Sequence, residues 1–364
     1  MASFDFRAQQ ERARRNTVLL VLVFAAMVAA ISAAIGLLAS AFISVDHAPA
    51  PDQITFEPEV VLTVGGVAMV IIVAVALIRI VSFGGDGARV AQSLGAEEVT
   101  ADTQNPYKQR YLNVVDEMAI AAGLPRPRAF VIKHEKGINA FAAGNSPDRA
   151  AVGVTHGALA KLNRQELAGV VAHEMAHIAN YDTRLNMRLM GMVFGLVVLY
   201  TLGRMVMRSF IFMPRRRDGR TMAPALAISL GLIVLGLLGV LAGRILQSGI
   251  SRRREYLADA TGVQFTRNPQ GLANALKKIG ATAEGSHVDN SHAEEARHMF
   301  FSGATGHAAA ATGGFAGLFA THPPLIQRIR ALEPQFDPAT DPVWNSDTKT
   351  ILRESRRELG RPWG

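Results

Sequence analysis

The feature that most limits how this chain can fold is an uncharged apolar run near its N-terminus, residues 17–45. A secretory signal peptide has an apolar core of only about 7–15 residues, whereas a bilayer span needs about 20, so the run predicts an uncleaved transmembrane helix. A second apolar run, residues 60–78, is long enough for another span. The mean hydropathy of +0.18 is high for a soluble chain and agrees with this interpretation.

The charges around these two runs predict their orientation. Four arginines precede the first run: Arg7, Arg12, Arg14 and Arg15. The connection between the runs, residues 46–59, is acidic and rich in proline. Because basic flanks stay on the cytoplasmic side, the N-terminus is expected in the cytoplasm, and two crossings return the chain there. We therefore expect the segment from about residue 79 to residue 188 to face the cytoplasm.

Two further apolar runs, residues 189–203 and 223–243, do not fit this rule. The linker between them, residues 204–220, contains six arginines and one aspartate, although it would be non-cytoplasmic if both runs crossed. We interpret residues 189–248 as a membrane-associated helical hairpin, which leaves two to four spans in total. The arginines at 215–217 and 220 have no aromatic residues between them, so the linker is interpreted as a solvated or headgroup-facing loop, and no nucleic-acid partner is predicted.

Between the second and third apolar runs the pattern is that of a globular α+β domain. Residues 105–125 have helical spacing and end at Gly123 and Pro125. Three short segments then read as strands separated by turn residues: 128–134, 138–144 and 150–159. After the fourth apolar run the chain is helical again. The sequence therefore predicts a predominantly helical membrane protein with a small β-sheet.

A helix over residues 163–179 carries the most informative motif. Asn163 and Glu166 have the spacing of a capping box at its start. The sequence His173-Glu174-Met175-Ala176-His177 follows, and its i, i+4 spacing places both imidazoles on one helical face, where they can bind one zinc ion. Glu174 is offset from that face and suits a general base for an attacking water. A pair of hydrogen-bonded core histidines is the alternative, but their burial without a metal would carry a desolvation cost.

A catalytic zinc ion needs a third protein ligand, and the chain has no cysteine to supply it. An antiparallel hairpin through the third and fourth apolar runs would return Glu255 to the same membrane face as the histidines. Asp259 lies one turn later and could accept a hydrogen bond from a ligating histidine. The alternative is an ordinary charged helix face beside the arginines at 252–254, and spacing alone does not decide between the two.

Four segments together carry a family resemblance: HEMAHIANYD, SRRREYLADA, GINAFAAG and THPPLIQRI. They resemble the integral-membrane zinc endopeptidases of the M48 type, which comprise bacterial HtpX heat-shock proteases and eukaryotic Ste24 CAAX-processing proteases. The resemblance covers about residues 100–335 in order, preceded by two spans. It implies a gluzincin-type protease domain with one zinc ion per chain on His173, His177 and Glu255, and Glu174 as the general base.

The resemblance also implies roles for residues outside the ligand set. It places Asn139 and Ala140 near the substrate cleft and His322 near the reaction centre. From the residues themselves, the strand of Ala140 could offer a free sheet edge to an extended peptide, and His322 could donate to a developing oxyanion. Arg328 could be a second such donor or could anchor its loop. Asp182 could orient a ligand histidine or cap a helix.

The resulting domain organisation has five segments. They are an N-terminal membrane region with two transmembrane helices (1–82), a first part of the protease domain with the HExxH helix (83–188), the membrane-associated hairpin (189–248), a second part of the protease domain with the third zinc ligand (249–335) and a C-terminal tail (336–364). The Gly/Ala/His-rich segment 281–320 matches no motif and is interpreted as a disordered flap over the cleft.

These observations predict a membrane-bound zinc endopeptidase that hydrolyses misfolded or membrane proteins in quality control. Its partners would be polypeptide substrates and the lipid bilayer, and its location a bacterial inner membrane with the active site facing the cytoplasm. Two alternatives stay open: a non-proteolytic zinc-containing membrane scaffold or chaperone, and a CAAX-type prenyl-protein processing protease. The sequence does not indicate an oligomeric state.

Overall fold

A computed structural model describes residues 6–47, 56–82, 85–211, 219–282, 284–288, 300–301 and 322–359. Most of the predicted flap and the arginines at 215–217 lie outside the described residues. The chain forms two compact units, Met1–Ser82 with Arg188–Leu246 and Phe83–Met187 with Gln247–Gly364. We call them the membrane unit and the globular unit and describe each separately.

The described residues form eleven α-helices and four strands. The helices are α1 (Phe6–His47), α2 (Pro58–Ser82), α3 (Gly87–Ser93), α4 (Pro106–Ala122), α5 (His156–Lys161), α6 (Arg164–Ala179), α7 (Asp182–Ile211), α8 (Gly219–Thr266), α9 (Pro269–Ala281), α10 (Leu325–Leu332) and α11 (Thr348–Leu359). The strands are β1 (Glu97–Glu98), β2 (Arg128–Ile132), β3 (Ala140–Ala143) and β4 (Ala151–Thr155).

Four helical segments are long and apolar enough to cross a bilayer: Val21–Ser44, Pro58–Val81, Asp182–Ser209 and Leu226–Ile245. The third contains the short run of residues 189–203 but extends over 28 residues, so its length does not require a re-entrant segment. Glycines allow α1 and α2 to approach closely, because a Cβ on Gly36 would lie only 2.3 Å from the carbonyl oxygen of Val61.

The globular unit contains a mixed sheet in the order β1-β2-β4-β3. Strands β2 and β4 are parallel, whereas β1 and β3 pair antiparallel with their neighbours, which places β3 at one edge. Residues of α4, α6 and α9 pack with β2, β3 and β4 in one hydrophobic core. The predicted α+β class with a small sheet is therefore confirmed.

Local sequence signals explain the ends of the helices that carry the site. Helix α4 begins after Asn105, whose side chain accepts from two backbone amides, and ends at Gly123, which has a φ of 63°. Helix α6 begins with the predicted capping box between Asn163 and Glu166. Helix α8 is one continuous helix of 48 residues, so the fourth apolar run and the segment with Glu255 belong to the same element.

Candidate metal centre

The HExxH segment lies on α6, and its two histidines face the same space. The Nε2 atoms of His173 and His177 are 3.0 Å apart. Their Nδ1 atoms face carboxylates: His173 Nδ1 lies 2.8 Å from Asp259 Oδ1, and His177 Nδ1 lies 2.9 Å from Asp182 Oδ2. Because a carboxylate holds a proton on each Nδ1, both Nε2 atoms present a lone pair to the shared space.

Helix α8 brings Glu255 to these two nitrogens. Its Oε2 lies 3.7 Å from His173 Nε2, and its Oε1 lies 3.5 Å from His177 Nε2. Atoms that bind a tetrahedral zinc ion lie about 3.4 Å from one another, which matches the spacing of this group. Two lone pairs and a carboxylate at these distances repel one another unless a cation or protons lie between them. The residues present therefore fit a divalent metal ion.

Burial and neighbouring charge set the protonation of these groups. Burial lowers the pKa of His173 to about 4, so its imidazole is neutral near pH 7. Burial also lowers the pKa of His177, but the carboxylate of Glu255 more than offsets this and raises it above its ordinary value. Burial alone would raise the pKa of Glu255, whereas His322 and Arg328 lower it well below its usual range. Glu255, the third candidate ligand, is therefore ionised, as a carboxylate that binds a metal ion must be.

Glu174 is fully buried beside this group and has a different environment. Among the described residues, neither of its carboxylate oxygens has a hydrogen-bond partner. Burial raises its pKa to about 8. A divalent cation at the neighbouring ligands would favour the ionised form and lower this pKa. Glu174 is therefore a candidate general base, since its carboxylate is buried beside the candidate ligands and unpaired among the described residues.

Two residues of the THPPLIQRI segment also reach Glu255. Its Oε2 lies 3.0 Å from His322 Nδ1 and 3.2 Å from Arg328 Nη1. The guanidinium of Arg328 also donates from Nε and Nη2 to Asp259, at 2.9 and 2.7 Å, and from Nη1 to the carbonyl of Phe301 at 2.9 Å. Since every nitrogen of Arg328 is engaged in this way, the geometry favours an anchoring residue over a second oxyanion donor.

The sheet edge near the site differs from the expectation. Strand β3 is an edge strand, but its backbone is not free along its whole length, because Phe300 forms a bridge to Phe141 and the Phe301 amide donates to the carbonyl of Ala140 at 2.7 Å. Asn139 is buried, and its side chain donates to the Ser286 carbonyl at 2.8 Å. The prediction of a free edge at Ala140 was wrong because a part of the Gly/Ala/His-rich segment folds back onto it.

Sequence reasoning missed two residues of the site. The ring of Phe301 lies edge-on to His173, with 4.9 Å between ring centroids, and supplies an apolar wall. Arg254 forms an ion pair with Asp182, the carboxylate that faces His177. Two adjacent phenylalanines, Phe300 and Phe301, inside a Gly/Ala/His-rich segment could have indicated that Phe301 is buried. Nothing distinguished Arg254 from its neighbours at 252 and 253.

Four membrane-length helices and a buried HExxH helix facing a distant glutamate are the features of a membrane metalloprotease. Comparison with known proteins agrees, since the family model of Peptidase family M48 matches residues 106–335. The chain belongs to peptidase family M48.

Curated relatives and one solved structure are similar to this chain. A "Protease HtpX homolog" of Limosilactobacillus reuteri is 34% identical over 334 residues, which is 89% of this chain and 98% of the relative. Another, of Thermoanaerobacter pseudethanolicus, is 39% identical over 247 residues, 67% of this chain and 78% of the relative. The alignment with the crystal structure of S. mikatae Ste24p covers 76% of this chain and 64% of the Ste24p chain, with 17% sequence identity and a TM-score of 0.39. The sequence relatives thus support a membrane metalloprotease of a bacterial type.

Proposed function

We propose that this metalloprotease is a zinc-dependent endopeptidase that hydrolyses unfolded or membrane proteins in quality control. The observation that carries the proposal is made among the described residues: His173, His177 and Glu255 form a group of three candidate ligands, one fewer than a closed zinc site has, and the buried carboxylate of Glu174 beside them has no hydrogen-bond partner. A structural zinc site is normally closed by four protein ligands and has no need of a buried, unpaired carboxylate.

Each residue of the site has a separate role in the proposed hydrolysis. A zinc ion, held by His173, His177 and Glu255, would supply Lewis-acid polarisation of the substrate carbonyl and of the attacking water. Glu174 accepts the proton of that water and later delivers it to the leaving amine. Asp259 and Asp182 keep the ring nitrogens of the two histidines in the tautomer that binds a metal. His322, whose Nδ1 lies 3.0 Å from Glu255 Oε2, would stabilise the negative charge that develops on the carbonyl oxygen of the scissile bond.

Removal of the metal tests this proposal directly. The full-length protein, purified in detergent, is expected to contain one zinc ion per chain and to cleave casein, an unfolded protein. A chelator is expected to remove zinc and proteolysis together, and added zinc should restore both. Full activity in metal-free protein would contradict the proposal. Stoichiometric zinc without cleavage of casein or of a membrane-protein substrate would instead indicate the scaffold alternative.

We also propose that the globular unit faces the cytoplasm of a bacterial inner membrane, which the positive-inside pattern supports. The absence of cysteine from the chain allows a clean test. A single cysteine at the exposed position Lys349 is expected to react with a membrane-impermeant maleimide only after the cells are opened. A cysteine at Asp52, in the connection between the first two runs, should react in intact cells. The reverse pattern would exclude this orientation.

A further inference from the structure

A second cluster of charged side chains lies in the globular unit, away from the metal centre. It lines a cavity of about 420 Å³, which we call the basic cavity. The lining residues are Asp86, Arg89, Arg126, Arg128, Asp148, Arg149 and Ala150. Four guanidinium groups and two carboxylates line it, an excess of two positive charges before ion pairs with residues outside the lining are counted, and guanidinium groups are donors that suit an anion such as phosphate.

The fold separates the basic cavity from the metal centre. The cavity lies where the parallel strands β2 and β4 begin, since it includes Arg128 and the residue before Ala151. The metal centre is near the other end of β4. There Val154 pairs with Ala140, whose carbonyl accepts a hydrogen bond from the Phe301 amide. The ring of Phe301 in turn packs on His173. The two ends of β4 are about 13 Å apart at about 3.3 Å per residue. None of the metal-binding candidates lines the cavity.

Two of the four arginines form ion pairs with carboxylates outside the lining. Arg128 pairs with Glu98, with a shortest distance of 2.5 Å, and Arg126 pairs with Asp116. Within the part of the chain that the structure describes, Arg89 and Arg149 have no ion pair. Asp86 and Asp148 line the same cavity, but among the described residues neither forms an ion pair with Arg89 or Arg149, so these two guanidinium groups are available to an external anion.

The backbone that carries Arg89 is held firmly against the sheet. A Cβ on Gly87 would lie 2.4 Å from the Ala143 carbonyl oxygen and 2.6 Å from the Ala151 amide nitrogen, so only glycine permits this approach of α3. The side chain of Asp86 is already engaged, because its Oδ1 accepts from the Ala88 amide at 3.0 Å. The backbone of α3 that carries Arg89 is thus fixed by packing, whereas the side chains of Arg89 and Arg149 are exposed and can reach a ligand from solvent.

The basic cavity follows the second candidate span closely in the sequence. Val81 is the last residue of that span, and four residues separate it from Asp86. Phosphate groups of lipids are abundant anions at the surface of a bilayer, so a lipid headgroup is one source of such a ligand.

We propose that the basic cavity binds a phosphate group, with Arg89 and Arg149 as the guanidinium groups that grip it. Arginine suits this role because its planar fork can donate two parallel hydrogen bonds to phosphate oxygens. The phosphate can come from the headgroup of an anionic phospholipid or from a soluble phosphate compound. Both sources use the same chemistry, and the experiment separates them.

The test uses the full-length protein in a nonionic detergent and a double variant, Arg89→Gln with Arg149→Gln. The control, Lys349→Gln with Arg353→Gln, removes the same charge from exposed positions of α11. Native mass spectrometry measures binding of dioctanoyl phosphatidylglycerol and dioctanoyl phosphatidylcholine, and calorimetry measures binding of inorganic phosphate. Circular dichroism confirms that both variants fold like the wild type.

The double variant is expected to bind the phosphate ligand at least about tenfold more weakly, whereas the control binds like the wild type. Tighter binding of phosphatidylglycerol than of inorganic phosphate identifies a lipid headgroup site. Binding of inorganic phosphate with at least equal affinity identifies a soluble ligand. The proposal is overturned if no ligand saturates, if phosphatidylcholine binds as tightly as phosphatidylglycerol, or if the double variant and the control behave alike. None of these readouts depends on proteolysis.

Discussion

Replacement of Glu174 by glutamine is expected to lower the rate of peptide hydrolysis by about 10²–10⁴-fold, the usual contribution of a general base. Glutamine has nearly the same shape but cannot accept the proton of an attacking water. Because Glu174 is not part of the ligand group, zinc content should stay at the wild-type value. The measurement pairs casein cleavage with metal analysis of the same sample.

The glutamine variant should also fold well. Neither oxygen of Glu174 has a hydrogen-bond partner among the described residues, and a neutral amide avoids the desolvation that disfavours the charged form. The melting temperature is therefore expected to be equal to or higher than that of the wild type. Glu354→Gln, an exposed carboxylate on α11, serves as the control and should keep full activity. Wild-type cleavage by Glu174→Gln would remove Glu174 from the mechanism.

The parts of the site that depend on local spacing could be predicted from sequence. The capping box fixes where α6 begins, and the i, i+4 spacing then fixes that His173 and His177 share a face. For Glu255 and Asp259, one-turn spacing left a metal site and a charged helix face both open, and the resemblance to the M48 proteases was needed to imply Glu255 as a ligand. The structure places both carboxylates near His173, with Glu255 Oε2 3.7 Å from its Nε2 and Asp259 Oδ1 2.8 Å from its Nδ1.

Contacts between distant parts of the chain could not be predicted in the same way. Arg328 joins Asp259 across 69 residues, and no periodic pattern links the two positions. The cover of Phe300 and Phe301 on β3 likewise depends on a long segment folding back, which its Gly/Ala/His-rich composition did not suggest. Sequence spacing identifies groups within one helix, whereas these contacts depend on how helices and strands pack.

Replacement of Arg328 by methionine is expected to destabilise the globular unit by about 3–5 kcal/mol, the usual cost of removing one partner from a buried ion pair. Arg328 is fully buried, and it contacts both Glu255 and Asp259. Methionine fills much of the volume but leaves two buried carboxylates without their positive partner. A bound zinc ion would offset part of that charge, so the loss of stability should be greater in metal-free protein than in zinc-loaded protein.

The melting temperature in detergent, with and without a chelator, measures this effect. Arg330→Met is the matched control, because Arg330 lies on the same helix α10 but is exposed, and its change should be within about 0.5 kcal/mol. If Arg328→Met fails to accumulate, Arg328→Lys is the second variant. Lysine keeps the positive charge and loses only the paired hydrogen bonds from the guanidinium to Asp259, so a smaller loss of stability is expected. Equal stability of Arg328→Met and Arg330→Met would show that the buried carboxylates are not held by this guanidinium. The position of Glu255 would then have to depend on the metal and His322 alone.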